Sequence, residues 1–255
     1  MKRIIFILLC AIHSVCPLIG QTLNNSLTYS VSFDTLKLFD QARQREVPIA
    51  IYKPKNYKSN NEQRIVLLSH GYGQNKGSSY LEYSYLTEYL AAKGYFVVSI
   101  QHELPTDSLI PSTGIPQIVR RPFWDRGADN ILFVLNELKK TNPELDYKHI
   151  TLIGHSNGAD ICALFPQKYP NIVYKIIALD NRRMALPKTN DVKVYSLRSS
   201  DQKADEGVLP TEEEQKKFGI KIIKLENTMH NDMDDHANNE QREEIINYIM
   251  TFLNE

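Results

Sequence analysis

The chain is short of several things, and each shortage removes a class of protein. Cysteine is scarce: of 255 residues only Cys10, Cys16 and Cys162 qualify, and the first two fall inside an apolar leader. Beyond that leader Cys162 stands alone, so no intramolecular disulfide supports the fold, and stability has to come from a core. Net charge is missing too, since 30 Lys+Arg balance 30 Asp+Glu. The basic pairs Lys139-Lys140, Arg182-Arg183 and Lys216-Lys217 are scattered, which reads as solvated faces and not as a nucleic-acid groove. The main apolar run at the N-terminus, Ile4 to Ile12, is shorter than the roughly 20 residues of a membrane helix. There is no internal repeat and no low-complexity tract.

Preceded by Met1-Lys2-Arg3, that run reads as a secretory signal peptide over residues 1–20, cut near Gly20 or Gln21. The expectation is an exported protein, periplasmic or secreted, with no stable membrane insertion after cleavage; an uncleaved anchor is the rival. His13-Ser14-Val15-Cys16 lacks the Leu-small-small-Cys pattern of a lipoprotein.

What remains, 42% hydrophobic and 24% charged over the whole chain, suits a globular unit, and residues 21–255 are expected to form one domain. Thr28 to Phe33 and Val47 to Tyr52 look like an antiparallel pair joined through a polar turn region, Asp40 to Glu46. Ile65 to Ser69, Tyr95 to Ile100 and Ile150 to Ile153 are almost continuously apolar, as strands buried on both faces must be. Val173 to Leu179, Val192 to Leu197 and Ile220 to Leu225 add three more. Ser79 to Lys93, Asp125 to Lys140 and Gln241 to Leu253 have helical spacing. The alternation predicts an α/β protein with a mostly parallel central sheet and helices on both faces. Pro105 to Pro122 has no periodicity and is expected to wall the site.

One segment carries chemistry. Ile150-Thr151-Leu152-Ile153 runs into Gly154-His155-Ser156-Asn157-Gly158 and then into a helix, the layout of a nucleophile elbow. Ser156 would sit on a sharp turn, and side chains in place of Gly154 or Gly158 would strike neighbouring backbone. A serine hydroxyl needs a base, and the histidines downstream of the motif are His230 and His236. His230 is preferred because it follows the strand Ile220 to Leu225 by a few residues. No zinc-type spacing is matched in His230 to His236, and no metal or organic cofactor is expected. Donors for an oxyanion are expected from the backbone N–H of Asn157 and, after the early strand Leu67-Leu68-Ser69-His70-Gly71, of Tyr72.

Asp40 to Pro54, Ser69-His70-Gly71 and Gly154 to Gly158 together resemble the α/β-hydrolase group of dienelactone-hydrolase-like and platelet-activating-factor-acetylhydrolase-like proteins. The resemblance implies an α/β-hydrolase fold and an acid after the serine and before the histidine. Asp201, after the next-to-last strand, is favoured for that role. Asp180 stays open because Leu179 to Pro187 is similar to the acid-bearing segment of the acetylhydrolases, and Asp205 is a third candidate. His102, Trp124 and Arg182, with Glu103, Phe123 and Arg183 beside them, are candidate pocket residues; the alternatives are a structural hydrogen bond for His102-Glu103, packing under the loop for Phe123-Trp124 and plain surface charge for the arginines. Cys162 reads as a small core residue. The expected activity is ester hydrolysis of a small or lipid-like molecule through an acyl-enzyme on Ser156. A peptidase or acyltransferase with the same residues, and a non-catalytic binding protein on this scaffold, are the alternatives.

Overall fold

Consecutive residues of the third strand point to opposite sides and both sides are apolar, which is the arrangement a two-sided core requires. Ile65 and Leu67 enter one buried cluster with Trp124, Ile131, Leu135 and Phe165. Val66 and Leu68 enter another with Leu86, Leu90, Ile245 and Phe252. A computed structural model describes residues 28–58 and 62–255. The expected signal peptide, with Cys10 and Cys16, lies outside the described residues.

The strands are β1 (Val31–Asp40), β2 (Arg45–Pro54), β3 (Gln63–Ser69), β4 (Phe96–Ile100), β5 (Leu145–His155), β6 (Lys175–Leu179), β7 (Lys193–Arg198) and β8 (Lys221–Lys224). They form one sheet in the order β1-β2-β4-β3-β5-β6-β7-β8. The first hairpin is antiparallel, β2 is antiparallel to β4, and everything from β4 through β8 is parallel. The helices α1 (Ser84–Ala92) and α6 (Asn239–Asn254) pack on one face, α3 (Arg121–Thr141) and α4 (Asn157–Lys168) on the other. Short α2 (Pro116–Val119) and α5 (Glu212–Phe218) complete the set. Among the described residues no helix is long and apolar enough to cross a membrane.

Three elements depart from expectation. The first hairpin is longer, pairing Val31↔Pro54 through Asp40↔Arg45, because an edge strand needs cover on one face only and tolerates Thr35, Lys37 and Asp40. Its turn shrinks to Gln41–Gln44, where Asp40 Oδ1 accepts from the N–H groups of Ala42 and Arg43. The stretch from Pro105 to Pro122 is partly helical, holding α2 and the first two residues of α3, each helix opened by a proline in its first turn. Helix α5 buries none of its residues, so no periodicity announced it. Its signals were its caps: Thr211 and Glu214 form a reciprocal box and Gly219 closes the end.

The sheet order places the site. From β3 the chain moves one way to β4, then returns to the other side of β3 as β5. The loops after β3 and β5 therefore part at a switch point, with Ser69 and Gly154 in register beside each other. In a sheet of this kind the crevice at that point receives ligands.

Candidate active site

Strand β5 ends at His155 and α4 begins at Asn157, leaving one residue for the reversal. Ser156 occupies it at φ 52°, ψ −116°, a left-handed conformation that costs a side-chain-bearing residue about 1–3 kcal/mol. The turn is held by Ser156 N–H donating to Leu179 O at 2.9 Å and by Ser156 O accepting from Asp160 N–H at 3.0 Å. The two glycines answer a steric demand. A Cβ on Gly154 would lie 2.4 Å from Gly158 O, and one on Gly158 would lie 2.1 Å from Ser69 O. Ser156 is half-buried and reachable from solvent.

His230 meets it from the segment between β8 and α6. Its Nε2 lies 2.9 Å from Ser156 Oγ, and its Nδ1 lies 2.5 Å from Asp180 Oδ2. Asp180 is wholly buried at the end of β6, next to the strand that carries Ser156. Its oxygens also take the Ser199 hydroxyl at 2.7 Å, the Ser199 N–H at 3.1 Å and the Arg198 guanidinium at 2.8 Å. Burial alone would raise this carboxyl. The His230 hydrogen bond, the Arg198 charge and the Ser199 donors outweigh it and hold the group below the ordinary carboxylate range.

The preference for Asp201 is thereby corrected. Its Oδ1 accepts the main-chain N–H of His230 at 2.7 Å, and the ring faces Asp180 instead. Asp201 lies three residues past the end of β7 on an exposed turn, one strand farther from β5 than Asp180. Asp205 contributes its backbone, donating to Arg182 O at 2.9 Å. Arg198 and Ser199, which seat Asp180, were missed; their only signal is that they end and directly follow β7, the strand adjacent to β6.

The two amides expected to face an oxyanion, Tyr72 and Asn157, donate to no acceptor among the described residues. Asn157 follows the serine directly, and Tyr72 follows Gly71, on which a Cβ would stand 3.5 Å from Ser156 Cβ. The peptide bearing Tyr72 N–H is fixed from behind, because His70 Nδ1 donates to Gly71 O at 2.6 Å while His70 Nε2 accepts from His102 N–H at 3.0 Å. The Asn157 side chain is pinned at both ends, accepting from Trp124 Nε1 at 2.9 Å and donating to Glu103 Oε1 at 3.0 Å.

Those contacts decide between the alternatives left open for two pocket candidates. Trp124 is 0% exposed and lies under the elbow, and His102 is 1% exposed and supports His70 through its main chain, so neither lines an open pocket. Arg182 is half-buried; its N–H joins those of Arg183 and Met184 on Asp160 Oδ1, and its Nε donates to Lys203 O at 3.3 Å. Cys162 is buried. His236 pairs with Asp234 at the surface, and Asp235 caps the start of α1 through the N–H groups of Ser84 and Tyr85. Among the described residues no three His, Cys, Asp or Glu side chains come together to hold a metal ion.

Burial pushes the Glu103 carboxyl up to about 7, well above the ordinary carboxylate range. A carboxyl whose folded value is raised contributes stability below the unfolded value and loses it as pH climbs through the folded one. Glu103→Gln keeps an acceptor for Asn157 and removes this titration. Its unfolding free energy relative to the parent is expected to rise by on the order of 3 kcal/mol between pH 4.5 and pH 7 and above. Urea midpoints at pH 5 and pH 8 measure it, and a gap independent of pH would contradict the burial argument.

No curated protein matches the chain by sequence. Solved structures do match by shape. A dienelactone hydrolase-like promiscuous phosphotriesterase from metagenomic libraries superposes with a TM-score of 0.61 at 14% identity, over 87% of this chain and 98% of its own. A ferulic acid esterase from the anaerobic fungus Anaeromyces mucronatus gives 0.62 at 12% identity, over 93% and 96%. A fungal esterase from Rhizomucor miehei gives 0.58 at 11%, over 90% and 85%. At such identities the likeness concerns the fold. Residues 64–213, more than half of the chain, match the family model described as alpha/beta hydrolase fold, and the chain belongs to that family.

Proposed function

We propose that the protein is a serine-dependent carboxylic ester hydrolase acting on a small or lipid-like ester. The observation that carries this reading is the unbroken line Asp180–His230–Ser156, with gaps of 2.5 and 2.9 Å, ending beside two unengaged backbone N–H groups. Asp180 holds His230 with its proton on Nδ1, leaving Nε2 to take the proton of Ser156 as Oγ attacks the ester carbonyl. The tetrahedral oxygen collects the Tyr72 and Asn157 amides, which are in place beforehand and need no reorganisation. The developing charge also sits at the N-terminus of α4, where the helix dipole favours an anion. His230 then hands its proton to the departing alkoxide. A water molecule, deprotonated by the same imidazole, repeats the sequence in reverse and frees the acid.

Support for an apolar substrate comes from the loop after β4. It touches the site where Ile110 N–H donates to the Tyr72 hydroxyl at 3.1 Å, and it exposes Leu109, Ile115 and Ile118. The esterases among the structural neighbours agree with the reading. The purified protein is expected to hydrolyse 4-nitrophenyl acetate and butyrate at a rate unaffected by a chelator. Failure to turn over any ester in a panel of increasing acyl length, or loss of turnover on chelation, would count against it.

A further inference from the structure

A buried imidazole that takes no part in those steps joins the two loops of the site. His155, the residue before Ser156, is 5% exposed; its Nδ1 lies 2.7 Å from the Tyr83 hydroxyl and its Nε2 lies 2.9 Å from the main-chain oxygen of His230. Tyr83, 2% exposed and placed just ahead of α1, also stands 2.9 Å from Gly71 N.

The direction of every bond in this chain follows from its two ends. Gly71 N–H has only a proton to give, so the Tyr83 oxygen accepts there. The single Tyr83 proton is then left for His155 Nδ1. The ring proton of a neutral His155 must sit on Nε2, where it is donated to a carbonyl that has nothing but lone pairs. The other tautomer would leave the Tyr83 proton without an acceptor and would set a lone pair against the oxygen of His230. Burial lowers His155 to about 4 and so keeps it neutral. That matters because its ring centroid is 4.9 Å from that of His230, which must become a cation during turnover.

His230 needs such support. It opens a short 3-10 turn, His230–Asp232, outside the sheet and the long helices, so no ladder fixes its backbone. Asp201 takes its N–H and His155 supplies the matching donor to its C=O.

We propose that Tyr83 and His155 are positioning residues: Tyr83 fills His155 Nδ1 while the His155 Nε2–H grips the His230 carbonyl, tying the general base to the Gly71 loop that carries the oxyanion donor. The inference rests on the ester-hydrolase reading, with His230 as the base for Ser156.

Two isosteres separate positioning from packing. An asparagine ends near where Nδ1 stands and keeps an acceptor for Tyr83; a glutamine reaches the place of Nε2 and keeps an N–H for His230. With a short 4-nitrophenyl ester, His155→Asn is expected to lower kcat by about tenfold or more with KM little changed, and His155→Gln to hold kcat within about threefold. Tyr83→Phe, which touches neither Ser156 nor His230, removes both the acceptor of Gly71 N–H and the donor to His155 Nδ1, and is expected to cost about tenfold in kcat with KM little changed. Assays run at a temperature where circular dichroism finds each variant folded. Equal losses in His155→Asn and His155→Gln, or unchanged kcat in Tyr83→Phe, would overturn the proposal. If Ser156→Ala abolishes turnover in the same assay while Tyr83→Phe is neutral, only the positioning role falls; if Ser156→Ala is active, the ester-hydrolase reading falls with it.

Discussion

Ser156→Ala is expected to lower kcat for a short 4-nitrophenyl ester by about a million-fold, to the level that binding and the oxyanion amides sustain without a nucleophile. The change removes only Oγ. It leaves a residue that tolerates φ 52° no worse than serine, and the turn is held by main-chain bonds to Leu179 and Asp160 that the variant retains. Thermal unfolding should therefore be unmoved while turnover disappears. His230 then has no proton to accept from the protein, and a water in place of the hydroxyl lacks the covalent step that divides one barrier into two. A loss smaller than about a hundredfold would mean that the reaction does not pass through this side chain.

Asp180→Asn should cost about ten-thousand-fold in kcat, and Asp201→Asn less than about tenfold. The asymmetry comes from counting donors. Asp180 Oδ1 faces the Ser199 N–H and the Arg198 guanidinium, groups that can only donate, so the amide oxygen of an asparagine is forced to that side. Its NH2 then faces His230 Nδ1. The imidazole can answer only by moving its proton to Nε2, and in that tautomer it cannot receive the proton of Ser156. Arg198, 6% exposed, also loses its carboxylate, so this variant is expected to be less stable as well as slow. Asp201 only accepts from the His230 main chain, a task the oxygen of an asparagine performs equally. Equal losses at both positions would contradict this division of roles.

Strands buried on both faces were legible because nearly continuous apolar runs such as Phe96–Ile100 and Lys175–Leu179 have few other uses. Ser156 was legible because its turn leaves a steric imprint on the residues two before and two after it. His230 was legible by order and by its distance past β8. Which carboxylate faces the ring was not, since β6, β7 and β8 lie side by side and the turns after β6 and β7 both reach the His230 segment. Chain order cannot say which of two carboxylates meets a ring and which meets a backbone amide. Trp124 and His102 stayed open between pocket and packing for a related reason: spacing gives no indication of which side a residue faces. The Tyr83–His155 contact spans 72 positions and joins two residue types with no pattern in common, so only coordinates reveal it.

Treating the purified protein with a fluorophosphonate, then measuring intact mass and mapping the adduct by peptide fragmentation, tests the central claim most directly. The account predicts one phosphonyl group per chain, on Ser156, forming with loss of esterase activity and far more slowly in His230→Ala. An adduct on another residue, or an unmodified protein that still hydrolyses esters, would contradict it.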